Sequence, residues 1–475
     1  MRDVLPSVAD IRAIYFKAQR KKNIIPQHAN LTPKLNRRIV RLLDSIAAEK
    51  NPALIEEKRD ELRDLLQAKK EHEDALFLQL RDDLEQRILN PPRSIRLRFR
   101  EVDGRKVTVF NKTRPTLMLL DRFAALHLSR AFGVQTKGRD HCVRVLTNTF
   151  LISSRGGEAR QGIIKMDLDT FYASVDHELL IAKIDGHAGV PRFVKQHVRL
   201  VLDAHARLFG NARGIPDGVP SSAVLAEIYL ENFDSALRAN PEVALFLRYV
   251  DDIVIVCEPE RVDAISRQVD QLMRNDKLTK NELKSTQLVH PTAPATSFDY
   301  LGYKFKFEAK TSNLVAIDIS DAKLQRYADA AVRMSKHADE IVCWASPNAV
   351  DTYLAMFEYL FRPHATADAG HGVRIVTGLA YSARFMRGAE RNRPNFKKLL
   401  GLSKKEVGTR WGSVKTSALK GTTPLCGCCG VAIHRANELI SLNDQPDVGF
   451  EIMRSVALAH ADDDLRARVG SILWS

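Results

Sequence analysis

The chain has 475 residues, 45% of them hydrophobic and 27% charged, and its 72 Lys and Arg exceed its 58 Asp and Glu to give a formal net charge of +14. This composition excludes a disordered or collagen-like chain, and the length allows two or three hydrophobic cores. The positive balance suits a polyanionic partner such as nucleic acid, although charge alone also fits a merely soluble protein. Six cysteines, of which only Cys426, Cys428 and Cys429 lie close together, do not make a secreted disulfide scaffold. The N-terminal stretch lacks an apolar signal core and no apolar run is long enough to span a bilayer, so the expectation is a cytoplasmic protein with no membrane partner.

From Ser7 to about Leu89, apolar residues recur three or four apart within charged runs such as LIEEKRDELRDLL, which predicts helices. Their plainest use is a solvated face, the alternative being RNA binding or packing between protomers. Asn90-Pro91-Pro92 ends them. RLRFREVDGRKVTVF then alternates residue types on both sides of Asp103-Gly104, which predicts a hairpin with a primed two-residue turn. Its Arg96, Arg98, Arg100, Arg105 and Lys106 face either solvent or nucleic acid. Leu117 to Phe132 reads as a helix, and GIIKMDLDTFYASVDHELL as a buried strand running into a helix. RGIPDGVPSSAVLAEIYLENFDSAL predicts a Gly-Pro loop and then a helix capped by Ser221 or Ser222. In LFLRYVDDIVIV two apolar runs flank an acidic pair, which predicts a hairpin with Asp251 and Asp252 at its turn. Beyond Gly302 the pattern is mainly helical, through ISDAKLQRYADAAVRMSKHADEIVCWA and PNAVDTYLAMFEYLF to the C-terminus. The basic run RGAERNRPNFKKLLGLSKKEVGTRWGSVK and GTTPLCGCCG interrupt it, and helices resume at about Arg435.

Joining a nucleotide to a 3′ end calls for two divalent ions, and Mg²⁺ asks for carboxylates brought together despite their mutual repulsion. An Asp-Asp pair by itself is usually just a solvated turn. Here it has strongly apolar flanks, an acid-tipped strand upstream at Asp167, and a Gly-Pro loop with a helix between the two. Adjacent strand residues point to opposite faces, so one Asp of the pair is the main ligand and the other assists.

This order of segments resembles the palm of reverse transcriptases, bacterial ones above all, from roughly Arg96 to Lys306. The resemblance implies an α+β right-hand polymerase: a helical N-terminal extension over 1–92, fingers and palm with an antiparallel sheet over 93–308, and a helical thumb and C-terminal region over 309–475. KMDLDTFYASV resembles the first palm motif, which makes Asp167 a metal ligand, Asp169 a non-catalytic neighbour, and Tyr172 the aromatic that closes the sugar pocket and favours deoxynucleotides; a core aromatic is the alternative for Tyr172. RGIPDGVPSSAVLAEIYL resembles the second, usually Pro-Gln-Gly-x-x-x-Ser, whose residues lie against nucleotide and template. Gly218 and Ser222 match, whereas Asp217 replaces the Gln. An ionised carboxylate accepts hydrogen bonds without donating and repels a triphosphate, yet it can accept from an amino group such as cytosine's, so Asp217 is expected to bias nucleotide or template choice.

RYVDDIVIV resembles the third motif and assigns Asp251 and Asp252 to the metal site; LTKNELKSTQLV resembles the next and makes Lys284 the acid near the leaving pyrophosphate, a surface lysine being the alternative. FDYLGYKF resembles the primer grip, covering Tyr300, Leu301, Gly302 and Tyr303, and Arg122 and Arg139 fall where template or triphosphate contacts are made. The resemblance implies an RNA-directed DNA polymerase, or one templated or primed in a non-canonical way such as protein priming, using Mg²⁺, or Mn²⁺ in its place, with dNTPs, an RNA template or noncoding RNA, a DNA product, and a partner protein or a second copy of the chain. Asp217, the Ala-Glu of LAEIYL and the helical extensions are most similar to the defence-associated, abortive-infection group of prokaryotic reverse transcriptases, which implies a role against phage. A retron or group II intron-type enzyme is one alternative, and a catalytically quiet RNA-binding scaffold is another. Cys426, Cys428 and Cys429 with His434 offer four zinc-type ligands, but adjacent cysteines rarely reach one tetrahedral ion, and an incidental cluster is the plainer reading.

Overall fold

The computed structural model of the chain describes residues 5–20, 33–102, 105–110, 115–135, 138–155, 161–289, 297–308, 313–339, 364–368, 372–377, 382, 385–389, 392–399 and 401. Three helices come first, α1 (Val8–Arg20), α2 (Pro33–Ala48) and α3 (Pro52–Leu89). α3 runs 38 residues: Asn51 caps its start by accepting from the Ala53 amide, Pro52 occupies a first-turn position that needs no N–H, and no further Gly or Pro intervenes before Asn90-Pro91-Pro92. The expected hairpin follows as β1 (Leu97–Val102) and β2 (Arg105–Phe110), antiparallel with Leu97 opposite Phe110, while its Asp103-Gly104 turn lies outside the described residues.

Next come α4 (Pro115–Ala131), α5 (Arg139–Arg155), β3 (Gly162–Asp167), the single turn α6 (Phe171–Ser174), α7 (His177–Gly186), α8 (Arg192–Phe209), α9 (Ser222–Tyr229) and α10 (Glu231–Ala239). β4 (Val243–Tyr249) and β5 (Asp252–Cys257) form the acid-tipped hairpin, and α11 (Val262–Asn275) follows. After β6 (Thr286–Val289) a meander of β7 (Ser297–Tyr300), β8 (Tyr303–Phe307) and β9 (Leu314–Ile319) leads into α12 (Asp321–Asp339) and the hairpin β10 (His364–Asp368) with β11 (Gly372–Thr377).

The chain divides into two compact units that interleave in sequence: 1–136, 168–239 and 269–280 in the first, and 137–167, 240–268 and 281–475 in the second. Among the described residues, the first is helical apart from the β1–β2 hairpin. Its core joins Ile11 and Tyr15 of α1, Phe77 and Leu84 of α3, Phe123 of α4 and Val201 of α8. The second holds an antiparallel four-stranded sheet in the order β4-β5-β3-β6 and the three-stranded β7-β8-β9. Cys142, Val143, Leu146 and Phe150 of α5 share one core with residues of both sheets, and the Phe150 ring meets Phe307 edge to face at 4.9 Å. Ile253 to Cys257 are buried without a break, the pattern of a central strand covered on both faces.

The region beyond Gly302 corrects the expectation of a mainly helical run. Among its described residues, β8, β9 and the β10–β11 hairpin are strands, and the expected helix begins only at Asp321. LVAIDI is too short a run for periodicity to separate strand from helix; its pairing with β8 decides it. PNAVDTYLAMFEYLF, GTTPLCGCCG, the helices expected after Arg435, and the Cys426, Cys428, Cys429 and His434 set lie outside the described residues. No helix among the described residues is long and apolar enough to cross a membrane.

Candidate active site

The site is built on the second unit's four-stranded sheet. β3 ends at Asp167, and the antiparallel register sets Asp167 directly opposite Asp252, the first residue of β5. Asp252 also pairs across β4 with Tyr249, which leaves Val250 and Asp251 as the hairpin turn. The two acids therefore differ in footing: Asp251 rides the turn, while Asp252 is fixed by the ladder. Val250 has φ +59°, a conformation a β-branched side chain rarely adopts, and Arg248 Nη1 donates to its carbonyl at 3.0 Å.

Asp167 is only 5% exposed, and Lys284 Nζ lies 3.0 Å from its Oδ2. Lys284 sits on the short 3-10 turn Glu282–Lys284, tethered because the Asn281 amide donates to the Asp167 carbonyl at 2.8 Å. Its side chain is largely exposed, as the surface-lysine alternative has it, yet it is spent on the buried acid. Lys165, which sequence reasoning did not single out, lies two residues before Asp167 and so on the same face of β3. Its Nζ is 3.5 Å from Asp252 Oδ1 and donates to the Lys284 carbonyl at 3.1 Å. A lysine inside an otherwise apolar strand was the available signal.

Burial pushes the Asp251 and Asp252 carboxyls above the usual carboxylate range. The Asp167 charge pushes both the same way, with Lys165 and Lys284 pulling Asp251 back and Lys165 doing so for Asp252. The hydrogen bond to Asp167 holds the Lys284 amine above its ordinary value. Among the described residues, no three His, Cys, Asp or Glu side chains stand close enough to hold an ion as placed. The donor chemistry nevertheless fits a hard divalent cation: carboxylate oxygens gathered at one sheet end, those of Asp251 and Asp252 raised in pKa by burial and by the Asp167 charge, a cost that a cation relieves.

The first unit builds a second constellation around the loop that follows α8. The Gly214 amide donates to the Val175 carbonyl and the Ile215 amide to the Tyr172 carbonyl, each at 2.7 Å, and His177 Nε2 bonds the Gly214 carbonyl at 2.7 Å. Tyr172 is half-buried, with its ring edge to face against Phe171 at 5.8 Å. Pro216 to Val219 forms a turn closed by the Val219 amide on the Pro216 carbonyl at 3.2 Å. Asp217, exposed on that turn, accepts the Thr108 amide at 2.8 Å through Oδ1, and the Gly218 amide donates back to the Thr108 carbonyl at 3.0 Å. Gly218 is required by close approach, since a Cβ there would stand 2.5 Å from that same carbonyl oxygen.

Neither serine caps α9 through its side chain. Ser222 Oγ donates to the Pro216 carbonyl at 2.5 Å, and Ser221 gives both its amide and its hydroxyl to Asp121, each at 2.7 Å. Asp121 is fully buried in α4 and also accepts from His197 Nε2 at 3.0 Å, so the α9 N-terminus is seated on a carboxylate borrowed from another helix. Sequence reasoning missed it; a lone acid inside LMLLDRFAALHL was the clue. The neighbouring Arg122 has Nε and Nη2 buried without hydrogen-bond partners among the described residues, and burial lowers its pKa.

Residues 133–305 match the family of reverse transcriptases (RNA-dependent DNA polymerases). This segment of the chain is similar to a reverse transcriptase domain. Comparison with curated protein sequences found no match. Among solved structures, apo telomerase from Candida tropicalis truncated from its C-terminal domain aligns at 11% identity and TM-score 0.38 over 48% of this chain and 55% of that one. Telomerase from Candida albicans in complex with the TWJ fragment of telomeric RNA aligns at 12% identity and TM-score 0.39 over 78% and 64%. The chain thus spans less than two thirds of either telomerase chain, and likeness at this level supports no functional statement.

Asp167, Asp251, Asp252, Lys284, Tyr172, Asp217, Gly218 and Ser222 all fall within the matched reverse transcriptase segment, and Arg122 falls before it. The β7–β8 turn consists of Leu301 and Gly302 at φ +48° and +77°, the two positive angles a primed hairpin turn needs. Arg139 donates to the Leu301 carbonyl through Nε at 3.0 Å and through Nη2, so the structure spends this arginine on the turn. From α12, Lys323 Nζ stands 4.7 Å above the Tyr303 ring and donates to Ser382 Oγ at 2.6 Å. Burial, with Arg139 and Arg326 adding repulsion, pulls the Lys323 amine down to about 7.

Proposed function

We propose that the protein is an RNA-directed DNA polymerase that adds deoxynucleotides to a 3′ end by two-metal nucleotidyl transfer. The observation that carries this reading is the register that sets Asp167 opposite Asp252 with Asp251 on the adjoining turn, within the segment that matches the reverse transcriptase family. Asp167, Asp251 and Asp252 would hold Mg²⁺, or Mn²⁺ in its place. Bound there, two such ions activate an attacking hydroxyl and stabilise a leaving pyrophosphate. The protein's own groups supply the rest. Lys165 orients Asp252, the turn strain at Val250 presents Asp251, and Lys284, protonated and within reach of the carboxylates, gives a proton to the pyrophosphate. Tyr172 closes the sugar pocket and favours deoxynucleotides, and the Leu301–Gly302 turn grips the primer, with the Tyr300 and Tyr303 side chains buried in the core beneath it as its support.

The partners in this reading are an RNA template or noncoding RNA, dNTPs, and a partner protein or a second copy, in the cytoplasm. Its physiological setting is antiphage defence, supported by the resemblance at Asp217 and LAEIYL. The test supplies the purified protein and its bound nucleic acid with dNTPs and Mg²⁺ and sequences the product, in parallel with plating of phage on cells that express it. DNA synthesis by an Asp251→Ala, Asp252→Ala double variant would overturn the metal assignment. Unchanged plating against wild-type and variant cells would remove the defence role.

A further inference from the structure

The exposed carboxylate at Asp217, where the family motif places an amide, is joined to the β1–β2 hairpin by two bonds of opposite direction, Thr108 amide to Asp217 Oδ1 and Gly218 amide to Thr108 carbonyl. Together they complete the pairing of one residue on the outer edge of β2, the edge that β1 does not use. A side-chain oxygen here does what a third strand's carbonyl would do, and a charged acceptor on an amide makes the bond shorter and stronger than a neutral one. An Asp is short enough to bond from the Pro216–Val219 turn, whereas Gln would carry its oxygen one methylene farther.

The hairpin held in this way has a basic face. Arg98 and Arg100 alternate along β1 and share a side with Val107 and Val109 across the ladder, and Arg96 continues the alternation one step before the strand. All three arginines are exposed, and none makes an ion pair or hydrogen bond to another described residue. Arginines whose backbone positions repeat about every 6.8 Å along a strand, over a valine floor, suit a row of phosphates.

We propose that Asp217 is a positioning residue: with Gly218 it latches the outer edge of β2 and so fixes where the Arg96, Arg98 and Arg100 face meets the backbone of a nucleic-acid strand. The proposal rests on the polymerase reading for its use but not for its geometry. It also explains how a carboxylate is tolerated in the second motif, because its charge is directed at a backbone amide.

The full-length protein and its Asp217→Asn, Asp217→Ala and Arg98→Ala, Arg100→Ala variants are compared for binding to a mixed-sequence RNA oligonucleotide across salt concentrations, with the matching DNA as a second arm. Hydrogen exchange at Thr108 and the KM and kcat for primer extension are followed alongside. Asp217→Asn keeps an acceptor oxygen but loses the charge that strengthens the bond, and should fall between wild type and Asp217→Ala in exchange at Thr108 and in salt slope. Asp217→Ala should exchange faster at Thr108, raise the KM for nucleic acid more than it lowers kcat, and flatten the salt dependence by a slope of about 1. The arginine variant should flatten it without affecting exchange at Thr108. Faster exchange with an unchanged salt slope would reduce Asp217 to a stability role, and a changed base composition of the product in Asp217→Asn would make it a base reader; either overturns the proposal. If the wild type extends no primer, the polymerase reading fails while exchange and salt slope still decide the latch.

Discussion

Asp121 offers the sharpest test of how the first unit is held together. It is fully buried and accepts three hydrogen bonds, from the Ser221 amide, the Ser221 hydroxyl and His197 Nε2. In Asp121→Ala the hydroxyl can rotate to another acceptor, but the amide and the imidazole N–H are left buried and unpaired, at about 1 to 3 kcal/mol each. Part of that is offset because the variant no longer buries a carboxylate. A net loss of about 2 to 4 kcal/mol is expected, and less for Asp121→Asn, which keeps one acceptor oxygen. Two interleaved units make a single global unfolding energy a poor measure, so the assay is hydrogen exchange at the start of α9. That loss converts to amides from Ser221 to Leu225 exchanging roughly thirty- to a thousandfold faster. Exchange within a few-fold of wild type would show that α9 does not depend on the borrowed carboxylate.

Two other outcomes follow from the charges. Asp251→Asn should abolish nucleotide incorporation and yet raise the melting temperature in chelator, because burial and the neighbouring Asp167 already disfavour that charge; a lower melting temperature would contradict the repulsion. His205 and His127 are both held below the ordinary histidine value, chiefly by burial, so the neutral ring is the stabilising form. Their contribution is complete above about 6.5 and is lost as pH falls through the depressed values, so stability should drop on acidification below that point, and His205→Gln should make the drop shallower.

What the sequence disclosed was whatever depends on short-range pattern. The apolar flanks of YVDD and the acid-ended GIIKMD read as strands because period and length speak locally, and Asp103-Gly104 marked a hairpin without any knowledge of its surroundings. The partners of these groups were not legible. Nothing near Asp121 in sequence points to Ser221, a hundred residues on, and nothing near Asp217 points to Thr108. Arg139 illustrates the same limit: its charge suggested phosphate, and only the fold shows it bonded to the Leu301 carbonyl. The strands beyond Gly302 were missed for a related reason, since LVAIDI becomes a strand through its ladder with β8.

The pairing of β3 with β5 runs unbroken from Gly162 opposite Cys257 to Asp167 opposite Asp252. That makes residue count, more than residue identity, the quantity the site depends on. Exchanging one apolar side chain for another within Ile163 to Met166 leaves the carboxylates facing each other. Inserting a single residue there would turn Asp167 to the opposite face of the sheet, and inserting two would restore the face but displace the acid by about 6.8 Å. An insertion within the β3–β5 ladder therefore moves the site unless a bulge absorbs it, as the irregularity between Val243 and Leu245 does in β4, and added length is taken up most readily in loops.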